Sequence, residues 1–292
     1  VELYLRMGNM NPEGKQEHLL LEMMEEAKEM THNSVEAFVE GDEANARKVV
    51  EHDDVVDESN QRRGQSSVNA MYDNKVSVLV GDYLLATSLK HAAVTGQIEL
   101  VDLVSRLGQE LSEGEIIQLA NINNLDFSEE IYFDVIRKKT AALFTASAES
   151  GAISVDAPQS EIEKAALFGE MIGIAFQIKD DIFDYFKNEE LGKPTGNDMM
   201  EGKLTLPALH VLNTHADEEK KELALRIRSL SASKEEIADF VDYIKQEGGI
   251  AYAEQVMYDY RNKALALLPE SADESIRTAL TAYIDYVIER NK

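Results

Sequence analysis

The chain contains no cysteine. Disulfides, thiolate metal sites and a cysteine nucleophile are thereby excluded, and the absence fits a reducing compartment. Proline is scarce: there are five, and none falls between Pro12 and Pro158. No apolar run approaches the length of a membrane span. There is no signal-peptide pattern, no solenoid repeat, no low-complexity linker, no glycine-rich phosphate loop and no nucleophile elbow. The start at Val1 is that expected of a fragment or a processed chain. Basic residues are also in deficit, 29 against 55 acidic, for a formal net charge of -26. Such a field repels nucleic acid and anionic membrane. Any site for an anionic substrate must therefore be built locally, from cations or basic side chains.

What remains reads as helix. Hydrophobic residues are 44% of 292, enough for a substantial core. Apolar residues recur at helical spacing, as in Leu20, Met23, Met24, Ala27 and Met30, and again in Leu100, Leu103, Val104 and Leu107. Alternating strand patterns are scarce, so the expected class is all-α. Breaks are expected at Gly41-Asp42, at Gly151 with Asp156-Ala157-Pro158, through Lys187–Pro207, and at Gly248-Gly249. A final helix should run from about Asp273 to the end. Residues 1–50 look like exposed, acidic amphipathic helices. The stretches 75–90 and 165–186 are far more apolar and should be buried.

Two acidic clusters share one spacing. Asp53, Asp54 and Asp57 precede Arg62-Arg63; Asp180, Asp181 and Asp184 follow Gln177. On a helix, carboxylates four apart share a face, and their repulsion costs ~0.2–0.5 kcal/mol per pair unless a cation is bound. A solvated acidic face would explain either cluster alone. The second, however, ends a helix that is apolar over most of its circumference, where a lined cavity is the better reading. Gly169 and Gly173 suggest close helix packing there. Magnesium suits this donor set, since it takes a few carboxylate oxygens with water and phosphate. Lys138-Lys139-Thr140, at the start of an apolar helix, and Lys193 and Lys203, each following a glycine, lie where they could complete a diphosphate site. Each of these alone would pass as surface solvation. His52 reads as a cap or surface histidine, and the ten methionines as gap-filling residues.

The segments HDDVVDESNQRRG (52–64), VLVGDYLLA (78–86), EGEIIQL (113–119), KKTAALF (138–144), GIAFQIKDDIFDYF (173–186) and LGKPTGNDMMEGKLTLP (191–207) together resemble the trans-type polyprenyl diphosphate synthases, close to bacterial octaprenyl and heptaprenyl enzymes. The resemblance implies a large single-domain helical bundle around a central cavity, usually a homodimer, in the cytoplasm. By it, Asp53, Asp54, Asp57, Asp180, Asp181 and Asp184 would hold magnesium on an allylic diphosphate. Arg62, Lys139, Lys193 and Lys203 would hold the diphosphate itself, and Arg63 would face isopentenyl diphosphate. Lys139, Thr140 and Gln177 would stand at the reaction centre. The implied domain is residues 51–292.

The N-terminal stretch departs from that pattern. The family's glycine-lysine-arginine-x-arginine-proline segment is here Gly14-Lys15-Gln16-Glu17-His18-Leu19, which leaves Lys15 as the one match among its basic residues. Ala46 stands where the family has a histidine, and Lys48 and Val49 where a small tunnel-floor residue is expected. Residues 1–58 also weakly resemble the helical hairpin of PhoU-type phosphate-uptake regulators. Two readings therefore stand: a prenyltransferase with a weakened isopentenyl pocket, or a metal- or phosphate-responsive interaction protein on a prenyltransferase body.

Overall fold

The structure is a computed structural model and describes residues 61–62, 65–66, 74–121, 126–186, 195–268 and 272–290. Within them lie a two-residue antiparallel ladder, β1 (Gln61–Arg62) with β2 (Gln65–Ser66), and then helices only. The helices are α1 (Asn74–Val94), α2 (Ile98–Ala120), α3 (Glu129–Ile136), α4 (Ala142–Ile153), α5 (Gln159–Asp184), α6 (Asn197–Met200), α7 (Leu206–Thr214), α8 (Glu218–Arg228), α9 (Lys234–Gln246), α10 (Gly249–Ala266) and α11 (Glu274–Glu289). A π-helical turn, Arg137–Ala141, joins α3 to α4. The all-α expectation holds. The expected breaks at Gly248-Gly249 and before Glu274 are also where they were read. The Gly41-Asp42 break and the periodic stretch 20–30 lie outside the described residues.

Helix α5 is the axis of the bundle. It packs against α4, α10, α11 and the π turn. Four consecutive residues, Ile172 to Ala175, are buried, so the helix is enclosed on every side, as its apolar circumference requires. Ile174 and Ile178 are fully buried, and truncating either to alanine would cost on the order of 2–5 kcal/mol. Two glycines allow the closest approach. A Cβ on Gly169 would stand 2.3 Å from the Phe144 carbonyl oxygen, and one on Gly173 would stand 2.5 Å from Ala141 Cα. A second apolar cluster, centred on Phe240, Ile244, Leu212 and Tyr185, ties α7, α8 and α9 to the end of α5.

Local signals set the outer helices. Ser233 and Glu236 form a reciprocal capping box at the start of α9, with Glu236 N donating to Ser233 Oγ at 3.2 Å and Ser233 N to Glu236 at 2.8 Å. Replacing Ser233 by alanine should therefore lower stability by ~1 kcal/mol without affecting any site residue, a shift measurable in urea melts. Gly248, at φ +84, supplies the left-handed residue between α9 and α10.

Three expectations need correction. Gly151 is not a break: it is buried inside α4, and the chain turns later, with Asp156 at φ 51. Lys138-Lys139-Thr140 do not begin a regular helix but occupy the π turn. Residues 75–90 form α1 as read, yet Val78, Leu79 and Leu85 are 41%, 66% and 45% exposed. Apolar composition reports that a surface avoids water, not that its cover is in the same chain.

Candidate active site

The second acidic cluster closes α5, and tertiary contacts give its three carboxylates different surroundings. Asp181 is the buried one, 4% exposed. Its Oδ2 accepts from the Tyr132 hydroxyl at 2.6 Å and its Oδ1 from Gln177 Nε2 at 2.8 Å. Gln177 Oε1 in turn accepts from Thr140 Oγ1 at 2.8 Å. Burial pushes the Asp181 carboxyl up to about 7, against the two hydrogen bonds that favour its anion, with Asp180 and Asp184 adding to the rise. Burial likewise raises the Tyr132 phenol well above its ordinary value.

Asp184 faces the following loop. Its two carboxylate oxygens accept the backbone N–H of Asn197, at 3.0 Å, and of Asp198, at 3.1 Å. Its own carbonyl accepts from Gly196 N at 2.8 Å. The end of α5 is thereby stitched to the short α6. Asp180 is the outward member, with a side chain 38% exposed. It is paired with Arg290, whose guanidinium lies over the Phe176 ring at 3.9 Å and donates through Nε to the Val287 carbonyl at 3.1 Å. Burial raises the Asp180 carboxyl and Arg290 lowers it, with a net rise.

The basic residues are similarly held. Lys139 pairs with Glu115 and donates to Gln118 Oε1 at 3.1 Å, both on α2. Lys138 pairs with Glu113 at 3.1 Å. Between those glutamates, Gly114 lets α2 lie against the π turn, since a Cβ there would stand 2.8 Å from Lys139 Cγ. Glu115 Oε2 is buried without a hydrogen-bond partner among the described residues. Lys203 pairs with Glu201 at 2.8 Å, and its backbone N–H holds the Asp198 carbonyl at 2.8 Å. Gly202, at φ +77, makes that turn possible; a Cβ there would stand 2.9 Å from the Arg228 carbonyl.

Of the residues read from sequence, Lys139, Thr140, Gln177, Asp180, Asp181 and Asp184 are thus gathered around the π turn and the end of α5. Arg62 is described only as part of the β1–β2 ladder. His52, Asp53, Asp54, Asp57, Arg63, Lys15 and Lys193 lie outside the described residues, as does any facing of the two acidic clusters.

Sequence reasoning missed five participants. Arg290 and Tyr132 carried no local signal. Glu115 and Gln118 stand one turn apart in EGEIIQL, a spacing that puts both on one face of α2. Asp198 belongs with them: burial beside Asp181 and Asp184 pushes its carboxyl well above the usual range, against the pull of Lys203.

No three His, Asp or Glu side chains converge as a metal-binding group among the described residues. The second cluster nevertheless fits a hard divalent cation at one point. Asp180 presents its carboxylate at a half-exposed position and already carries a cation there, the Arg290 guanidinium. Asp181 and Asp184 spend oxygens on internal hydrogen bonds.

Comparison with known proteins gives one answer. The polyprenyl synthetase family matches residues 14–244. Octaprenyl diphosphate synthase of Escherichia coli (strain K12) is 33% identical over 242 residues, covering 82% of this chain and 75% of the relative. A crystal structure of geranylgeranyl pyrophosphate synthase from Bacteroides thetaiotaomicron is 50% identical with a TM-score of 0.72, over 85% of this chain and 81% of that one. A polyprenyl synthase from Caulobacter crescentus CB15, complexed with calcium and isoprenyl diphosphate, is 32% identical with a TM-score of 0.75, over 84% and 75% of the two chains. The chain belongs to the polyprenyl synthetase family and is a prenyltransferase.

Proposed function

We propose that this chain condenses isopentenyl diphosphate with an allylic diphosphate, in the presence of magnesium, and extends the product to a long-chain polyprenyl diphosphate. The observation that carries the reading is the outward Asp180 carboxylate standing beside the buried Tyr132–Asp181–Gln177–Thr140 chain. Family membership and the relatives' names support it. The second reading, an interaction protein with a PhoU-like N-terminus, is disfavoured because the family match takes in residues 14–58.

In this reading the allylic C–O bond breaks and diphosphate leaves with the electron pair. The isopentenyl double bond attacks the allylic carbon, forming a C–C bond, and a proton then passes from the new unit to the released diphosphate. Magnesium, when bound, supplies positive charge against the leaving group. Asp180 and the first cluster, Asp53, Asp54 and Asp57, are the carboxylates proposed to hold it, with Asp181 and Asp184 supporting them from behind. Arg62, Lys139, Lys193 and Lys203 take the remaining phosphate oxygens of the allylic substrate. Lys139 is aimed by Glu115 and Gln118. Thr140 and Gln177 border the reacting carbon.

We further propose a homodimer, whose partner covers the exposed apolar residues of α1. A cytoplasmic location is part of the same reading. No described helix is long and apolar enough to cross a membrane.

The experiment is a radiolabelled condensation assay with magnesium and a short allylic primer; no incorporation of label would reject the reading. The isopentenyl pocket should be the weak point. Arg63 and Lys15 are retained, but His18 and Ala46 stand where stronger donors are expected. A lost charge-assisted hydrogen bond costs ~1.5–3 kcal/mol. Steady-state kinetics with both substrates varied should therefore give a raised KM for isopentenyl diphosphate beside an ordinary one for the allylic substrate. A micromolar isopentenyl KM with normal turnover would show an intact pocket.

A further inference from the structure

The hydrogen-bond chain that begins at Tyr132 has a fixed polarity. The phenol can give one proton, and it gives it to Asp181 Oδ2 at 2.6 Å. The other carboxylate oxygen, Oδ1, accepts from the Gln177 amide nitrogen at 2.8 Å. An amide whose nitrogen faces a carboxylate must turn its oxygen the other way, toward Thr140. Thr140 has a single hydroxyl proton, and it is spent on that oxygen at 2.8 Å. What Thr140 can still offer is lone pairs alone. The chain therefore ends in an acceptor, the arrangement suited to growing positive charge and unsuited to donating a proton.

The buried end sets this direction. Tyr132 is 8% exposed and its ring sits edge-on to Phe133, with centroids 5.3 Å apart. It cannot swing away. Asp181 is anchored by it from α3, a separate helix 49 residues earlier in the sequence. Without the hydroxyl, Asp181 loses one of its two anchors and can rotate. The Gln177 amide then loses the reason for its orientation. If the amide flips, its nitrogen faces Thr140, and the threonine proton is freed to point toward the substrate.

We propose that Tyr132 is a positioning residue for the condensation: through Asp181 and Gln177 its hydroxyl holds Thr140 as an acceptor-only group beside the reacting allylic carbon. This rests on the reading of the reaction centre given above. Tyr132 itself touches no substrate in this scheme, so its effect should fall on turnover rather than on binding.

The test is a double-mutant cycle in the condensation assay, using the full chain with magnesium, a short allylic diphosphate and isopentenyl diphosphate. Tyr132→Phe keeps the ring and its packing. It should lower kcat by about 10- to 100-fold, the range seen when outer supporting partners of a site are removed, with both KM values within about twofold of the wild type. Thr140→Val should also lower kcat. The double variant should be no slower than the slower single one, because the two residues, which share no hydrogen bond, act through one relay. If Tyr132→Phe lowers the melting temperature but leaves kcat unchanged, or if the two effects multiply, the inference is overturned. Should the phenylalanine variant fail to fold, 3-fluorotyrosine at position 132 alters the strength of the donor while keeping it. A kcat that moves at constant KM supports the inference, and an unmoved kcat overturns it. A wild type without turnover would reject the proposed function and this inference together. A working wild type with an unimpaired Tyr132→Phe would reject this inference alone.

Discussion

Replacing Asp180 by alanine should reduce kcat by about 10²- to 10³-fold, the scale of losing one preorganised electrostatic contact in a reaction centre. It should also abolish the extra thermal stability that magnesium and a diphosphate analogue confer together. The three carboxylates of the second cluster differ in what already occupies their oxygens. Asp181 is enclosed and has a donor on each oxygen. Asp184 has both oxygens on the backbone of residues 197 and 198. Asp180 has a side chain 38% exposed and is paired with the Arg290 guanidinium rather than with backbone. Ligands that bind only the native state raise its stability by mass action, so melts of wild type and variant with each ligand alone and with both provide a readout independent of turnover. An undiminished joint shift in the Asp180→Ala protein would put the cation elsewhere.

Gly173→Val should be a severely damaging substitution at the helix contact that supports the π turn. The added Cβ would stand 2.5 Å from Ala141 Cα, 2.8 Å from Ala141 Cβ and 3.1 Å from a Phe144 ring carbon. None of these is the yielding end of a long side chain, and Ala141 is the last residue of the π turn that carries Lys139 and Thr140. Overpacking of this kind costs about 1–3 kcal/mol and sometimes more. Part of the strain can be relieved only by moving Thr140 relative to Gln177, so kcat should fall along with stability. Gly108→Ala is the matched control. Its Cβ would meet only the Leu85 side chain, Cδ1 at 3.4 Å and Cδ2 at 3.9 Å, and the gain in helix propensity should stabilise the protein by about 0.5–1 kcal/mol. Denaturant melts of both variants, with turnover measured on the folded fraction, check the pair. A Gly173→Val protein as stable as wild type would mean that α5 and the π turn are not locked together.

Much of this was legible in the sequence, for reasons that are local. Helical periodicity, the near-absence of proline and the apolar circumference of residues 172–178, broken only by Gln177, specify a buried helix without reference to any partner. The Gly248-Gly249 break was readable because a left-handed residue is chosen within a few residues of chain. The spacing of Asp180, Asp181 and Asp184 showed that carboxylates gather at the end of α5, and the motif segments between residues 52 and 207 resemble the family to which the chain belongs.

The division of labour among those carboxylates was decided only by the tertiary structure. Residues 180 and 181 are neighbours in sequence and chemically identical. One is buried against Tyr132 and the other meets Arg290, 110 residues further along. Spacing fixes which face of a helix a side chain leaves from, but what lies opposite that face is set by packing between elements far apart in the chain. The same holds for Lys139 and Glu115, which meet because Gly114 admits the π turn. The π turn itself is a product of packing, since a five-residue run of RKKTA carries no local preference for it. Helix α1 marks the converse limit: its apolar composition called for cover, and among the described residues Val78, Leu79 and Leu85 remain exposed.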